Sequence, residues 1–147
     1  MSADKIVIDP AIRAEIEALI VEHAWRVDHH QCHDLADLYT EDGRFLGAGP
    51  DKIGRAAIEA YGRERAAMTK RQARHVCTNF RMIWDGPDRI RGGCVITLFR
   101  SDGEVMGTAD AVAVADAEDI YAKCPDGRWR IQQRRIVLAF ESAAHRA

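Results

Sequence analysis

One contrast in this chain, and one absence, predict an α+β domain. Apolar residues recur at helical spacing up to about residue 69, whereas beyond it they form long runs broken by turn signals. No linker, internal repeat or low-complexity tract separates the two halves. Three helices ahead of strands joined by short turns predict helices packed on one face of a mostly antiparallel sheet.

Pro10 directly after Asp9 supplies a cap and a first-turn residue. A helix over residues 10–29 follows, because Ile12, Ile16, Leu19, Ile20, His23, Ala24 and Val27 recur on one side. A short second helix is predicted over Asp34 to Tyr39, then a turn and short strand in "TEDGRFLGAGP". "DKIGRAAIEAYGRERAAMT" is a third helix, with Ile53, Ala57, Ile58, Tyr61 and Arg65 along one side. Turn signals then fall at Asp85-Gly86-Pro87, Asp102-Gly103 and Pro125-Asp126-Gly127. They delimit "RHVCTNFRMIW", "RIRGGCVITLFR", "VMGTADAVAVADAEDIYAK" and "RWRIQQRRIVLAF". The third run is too long for one flat strand, so Gly107 or Asp110 marks a loop or bulge. Its Ala109, Ala111, Ala113, Ala115 and Ala117 share one face if extended; a helix is the competing reading, since alanine is the best helix former.

At 147 residues the chain is read as one domain, 1–147 with a core over about 10–140, able to fold without a disulfide or metal. Its 21 basic and 23 acidic residues are well mixed, which argues against a nucleic-acid partner. No apolar run approaches the ~20 residues needed to span a bilayer, and the N-terminus lacks secretory features. Cys32, Cys77, Cys94 and Cys124 form no CxxC pair and are read as reduced thiols of a cytoplasmic protein.

The stretch "VDHHQCHDLADLY", 27–39, concentrates polar chemistry. His29 and His33 are four apart, but His30, Cys32 and Asp34 point elsewhere around a helix end, and no further ligand follows at metal spacing; no metal site is expected. Asp28 flanks the apolar stripe of the first helix and needs a partner if buried. An arginine would serve, and so would His75 of "ARHVCTNF", the only histidine in the sheet region. In the second case the carboxylate would fix the imidazole tautomer and leave the other nitrogen as a general base. One difficulty stands: Val76, Phe80, Met82 and Trp84 are opposite in parity to His75, Cys77 and Asn79. Either the apolar set faces a second subunit, or a bulge reverses the parity. "RWRIQQRRIVLAF" is also apolar on two faces, Trp129, Ile131 and Val137 on one and Ile136, Leu138 and Phe140 on the other. Helices cover one side only, so a homodimer through the outer face is expected, with a trimer as the alternative. The competing arrangement has the tail from Ser142 to Ala147 shielding that face.

Three stretches carry a family resemblance. "AWRVDHHQCHDLADLYTEDGRF", "RHVCTNFRM" and "GRWRIQQRRIVLAF" resemble the helix ending in aspartate, the "HxxTN" strand and the closing "GWxIxxRxV" strand of SnoaL-like proteins. These belong to the nuclear-transport-factor-2-like superfamily, and the resemblance implies its cone-shaped α+β fold over roughly residues 10–140. In its scytalone dehydratase and dehydrochlorinase branch, an aspartate–histidine pair abstracts a proton in a hydrophobic cavity. Asp28 and His75 match that pair, and Arg134 matches the arginine of the closing strand. Trp25, Tyr39 and Asn79 are expected to shape the cavity with Arg134. The implied activity is a cofactor-free lyase or isomerase acting on a small, largely apolar, cyclic compound. The alternative is a non-catalytic binding or assembly module, such as the small subunit of a ring-hydroxylating dioxygenase, which this chain resembles in outline.

Overall fold

The computed structural model describes residues 2–103 and 106–143. Helix α1 spans Pro10–Asp28 and starts where the sequence predicts: the Asp9 carboxylate accepts the backbone N–H groups of Ala11 at 2.8 Å and Ile12 at 3.4 Å. Two 3₁₀ turns over Cys32–Leu38 replace the short second helix, with non-helical backbone at Asp34. Strand β1 (Tyr39–Leu46) and the two-residue β2 (Lys52–Ile53) precede helix α2 (Arg55–Ala67). Gly62 lets α2 press on the 3₁₀ segment, since a Cβ there would stand 2.2 Å from the Cys32 carbonyl oxygen.

The strands β3 (Arg71–Trp84), β4 (Arg89–Asp102), β5 (Ala113–Lys123) and β6 (Trp129–Glu141) form the predicted meander. Sheet order is β2-β1-β6-β5-β4-β3, antiparallel except where β1 runs parallel to β6. Three helical segments therefore lie against a curved, six-stranded, mostly antiparallel sheet, the cone-type α+β fold. The long alanine-rich run is resolved as a strand, preceded by non-regular chain over 106–112; its first residue, Val105, lies outside the described residues.

A bulge settles the parity of β3. Thr78 faces Val95 and Arg81 faces Gly93, so Asn79 and Phe80 together oppose Cys94 alone. One extra residue reverses which side faces inward. Before the bulge, Ala73, His75 and Cys77 point to the helices; after it, Met82 is buried while Phe80 and Trp84 pack on the core. Only Val76 of the expected outer set remains outside. β6 uses the same device twice, with extra residues at Gln132 and Ala139. Trp129 and Ile131 thus share the inner face with Arg134, Ile136 and Leu138, correcting the simple alternation expected there, while Phe140 is 70% exposed. The last four tail residues, 144–147, which were the alternative cover for the outer face, lie outside the described residues.

Inward-facing rows divide the interior into two ends. At one end Trp84, Ile90, Tyr121 and Ile131 lie in register across four strands and pack against Ile16, Ile20 and Leu35. At the other, Ala113 and Ala115 of β5 stand beside Leu98 and Ile96 of β4, and their small side chains leave space. The result is a cavity of about 1010 Å³ between sheet, α1 and α2.

The bulge holds Asn79 at φ 57°, a left-handed conformation that asparagine tolerates and β-branched residues resist. Asn79→Val is expected to cost about 1–2 kcal/mol, read as a lower urea midpoint, and Asn79→Gly to cost nothing. Equal midpoints for the two variants would remove the bulge as the origin of the parity change.

Candidate active site

Asp28 is the last residue of α1, and His75 sits on β3, one of the two edge strands of the sheet. An edge strand carries backbone N–H groups that no neighbouring strand accepts. The His75 N–H donates to Asp28 Oδ2 at 2.7 Å, and the ring Nδ1 lies 2.6 Å from Oδ1. With one carboxylate oxygen taken by the backbone donor, the other accepts from Nδ1–H, which assigns the proton to Nδ1 and leaves Nε2 with its lone pair. His75 lines the cavity. Burial raises the Asp28 pKa, but the hydrogen bond, charge and backbone N–H of His75 outweigh it, so the carboxyl titrates below its ordinary value.

Other residues complete the site. His23, five positions before Asp28 on α1, is buried, lines the cavity and shares a 2.9 Å hydrogen bond between Nε2 and the Tyr39 hydroxyl. Burial first, then the positive charges of Arg134, His75 and Arg26, push its pKa well down, so it stays neutral. Arg134 lines the cavity and is held by Asp119 through Nε at 3.0 Å and Nη2 at 2.8 Å; the Tyr121 hydroxyl donates to the same carboxylate at 2.5 Å. Cys77 also lines the cavity, and the neighbouring Cys94 thiol holds its pKa below the ordinary value.

His75 and Arg134 thus line one cavity, with Asp28 bonded to His75 outside its lining, and three other expected residues do not line it either. Trp25 is 53% exposed and stacks on the His29 ring, centroids 3.9 Å apart. Its position explains this: at 100° per residue it lies 200° from both His23 and Val27, the centre of the buried stripe. Tyr39 is fully buried behind His23, and Asn79 is exposed in the bulge. Conversely, His23, Lys52 and Arg65 line the cavity and carry no sequence motif. Their one signal is that His23 and Arg65 stand within apolar helical stripes. In the polar cluster, His29 bonds the Trp25 carbonyl, His30 approaches Arg65 and Cys32 is buried under the Arg26 carbonyl. Among the described residues no three His, Cys, Asp or Glu side chains are grouped to hold a metal, and no helix is long and apolar enough to cross a membrane.

The chain matches the SnoaL-like domain family over residues 11–135. Among solved structures, an NTF2-like protein with a cystatin-like fold from Novosphingobium aromaticivorans is 28% identical, with a TM-score of 0.74 over 92% of this chain and 87% of that one. A protein provisionally described as a scytalone dehydratase, from the same organism, is 17% identical with a TM-score of 0.75 over 88% and 85%. ActVI-ORFA from Streptomyces coelicolor is 19% identical with a TM-score of 0.73 over 86% and 97%. The last two likenesses concern the fold. No curated protein matches the sequence.

The depressed Asp28 pKa gives a signed prediction. Its unfolded value is about 3.9, so the stability from this carboxylate is fully present above that and is lost as pH falls through the lower folded value. Asp28→Asn should therefore be less stable than wild type at neutral pH, with the gap closing in acid below about pH 4. A gap that stays constant from neutral to acid pH in urea titrations would contradict the assignment.

Proposed function

This chain belongs to the SnoaL-like domain family, and from that membership and the cavity geometry we propose that it is a lyase or isomerase working by proton abstraction. The substrate is a small, largely apolar, cyclic molecule. His75 Nε2 takes a carbon-bound or hydroxyl proton, and Asp28 orients the ring and stabilises the imidazolium that forms. A positioned base in a chamber with apolar walls is all that such a step requires of the protein, and no cofactor is assigned to it. The carrying observation is the two-point bond between Asp28 and His75, which leaves Nε2 unbonded among the described residues beside a cavity walled by Ile96, Leu98, Ala113 and Ala115. The four free thiols fit a reducing, cytoplasmic compartment.

The chemistry is tested by deuterium exchange at the acidic C–H bonds of bicyclic ketones such as 2-tetralone, followed by NMR. Wild type should exceed buffer, and His75→Gln and Asp28→Asn should each lose about 10²–10⁴-fold. Equal rates for wild type and His75→Gln would end the catalytic reading.

The same reading includes a homodimer through the outer face. Register places Val76, Thr97, Val114 and Phe140 in one row across β3, β4, β5 and β6, on the side away from the cavity. An apolar row on an uncovered sheet favours pairing with a second copy. Sedimentation should give twice the 16.4 kDa chain mass, and Phe140→Asp should return it to the single-chain value. A wild-type monomer at micromolar concentration would exclude the pairing.

A further inference from the structure

The cavity wall built by β2 and α2 carries two cations whose charge no bonded carboxylate offsets among the described residues. Arg65 is 4% exposed and lines the cavity. Its Nη1 lies 3.4 Å from His30 Nδ1, and its Nη2 is buried with no hydrogen-bond partner. Arg134 of the same cavity shows the contrast, since Asp119 already neutralises it. Arg55 also has an unpartnered nitrogen, Nε, but its terminal nitrogens hold Glu41 and the Tyr39 carbonyl, and it is not in the cavity wall.

Lys52 is the second cation, 8% exposed and also in the wall. Its ammonium donates to the Ala48 carbonyl and stands 4.9 Å from the Phe45 ring centroid and 4.6 Å from that of Tyr61. Tyr61 connects the two cations, for Lys52 covers its ring while the charge of Arg65 acts on its hydroxyl. Burial lowers the Lys52 pKa, against the fields of Asp51 and Glu64. Glu64 also lines the cavity, but it is exposed.

A buried guanidinium N–H without an acceptor is unfavourable until an oxygen anion meets it. The planar fork of arginine fits a carboxylate, and a lysine over aromatic faces adds charge without competing for the same bonds. The opposite wall, from β4 and β5, offers Ile96, Leu98, Ala113 and Ala115, and its one cation, Arg100, is already paired with Asp102. We propose that Arg65, backed by Lys52, forms a carboxylate-binding subsite in this cavity, so that its ligand is an organic acid with an apolar body. The subsite rests on the reading of the cavity as a substrate chamber and names the substrate class; its test is a binding equilibrium, separate from the chemistry of His75.

Calorimetric titration of the full chain with 1-naphthoate and with the neutral 1-naphthalenemethanol decides it. The acid should bind about tenfold or more tighter than the alcohol. Arg65→Met should remove that preference and leave the alcohol's affinity unchanged, and Arg65→Lys should restore part of it. Lys52→Met, on a different element, should weaken the acid alone by about threefold, which keeps the test decisive if Arg65→Met does not fold. An acid that binds no tighter than the alcohol, or variants that weaken both ligands alike, would overturn the subsite. Loss of proton exchange with the acid preference intact would instead count against the catalytic reading alone.

Discussion

One carboxylate fixes the geometry on which the site depends. Asp28 accepts both the backbone N–H and the ring N–H of His75, so it closes part of an open sheet edge and aims an imidazole with the same two oxygens. The end of α1 and the orientation of His75 are therefore not independent. Any shift of the helix along β3 that lengthened one bond would lengthen the other. A buried carboxylate with no such partners would be costly, and here burial is outweighed by the hydrogen bonds and charge of His75, with Arg74 adding to them. The same contact holds helix to sheet at the rim of the cavity, where the sheet has no further strand to stiffen it.

Much of this was legible in the sequence. Asp9-Pro10 marked the start of α1, the spacing from Ile12 to Val27 gave its buried side, and the aspartate–glycine turns gave the meander. Asp28 stood out because a charge beside an apolar stripe demands a partner, and the family resemblance singled out His75. What the pattern could not carry was the bulges. Alternation assigns faces by parity, and each added residue on β3 or β6 reverses the assignment beyond it. Asn79 was the available hint, as a residue that tolerates left-handed backbone. Trp25, Tyr39 and Asn79 were expected in the cavity because they lie near Asp28 and His75 along the chain. Nearness along a helix or strand says little about direction, and each points elsewhere.

The cavity arises from side-chain size within a regular sheet. Each inward row runs across the same four strands, so a row fills or empties according to what β5 contributes. Where β5 offers Tyr121 the row is filled and the helices pack directly on it; where it offers Ala113 or Ala115 there is a void. Such alanines read as helix formers in one dimension, which is why a helix competed there with the favoured strand. The packed end can supply stability while the open end is free to hold a ligand, within one uninterrupted sheet.

Arg134 and Arg65 show how two buried guanidinium groups in one chamber differ in consequence. Arg134 meets Asp119 through two nitrogens, and the Tyr121 hydroxyl completes the carboxylate's bonding, so this cluster is neutral and internally satisfied. Removing either partner would leave a buried charge, which makes the pair a strut between β5 and β6. The family resemblance had nominated Arg134 for the cavity, and it lines the cavity with Nε and Nη2 already held by Asp119. Arg65 is buried to a similar degree and has no such partner on its buried Nη2. Charge that the protein has already neutralised sets shape; charge left open in a cavity wall sets what can enter. The distinction depends on what the fold sets opposite each arginine, Asp119 of β5 for Arg134 and His30 for Arg65, and cannot be read from the residue type.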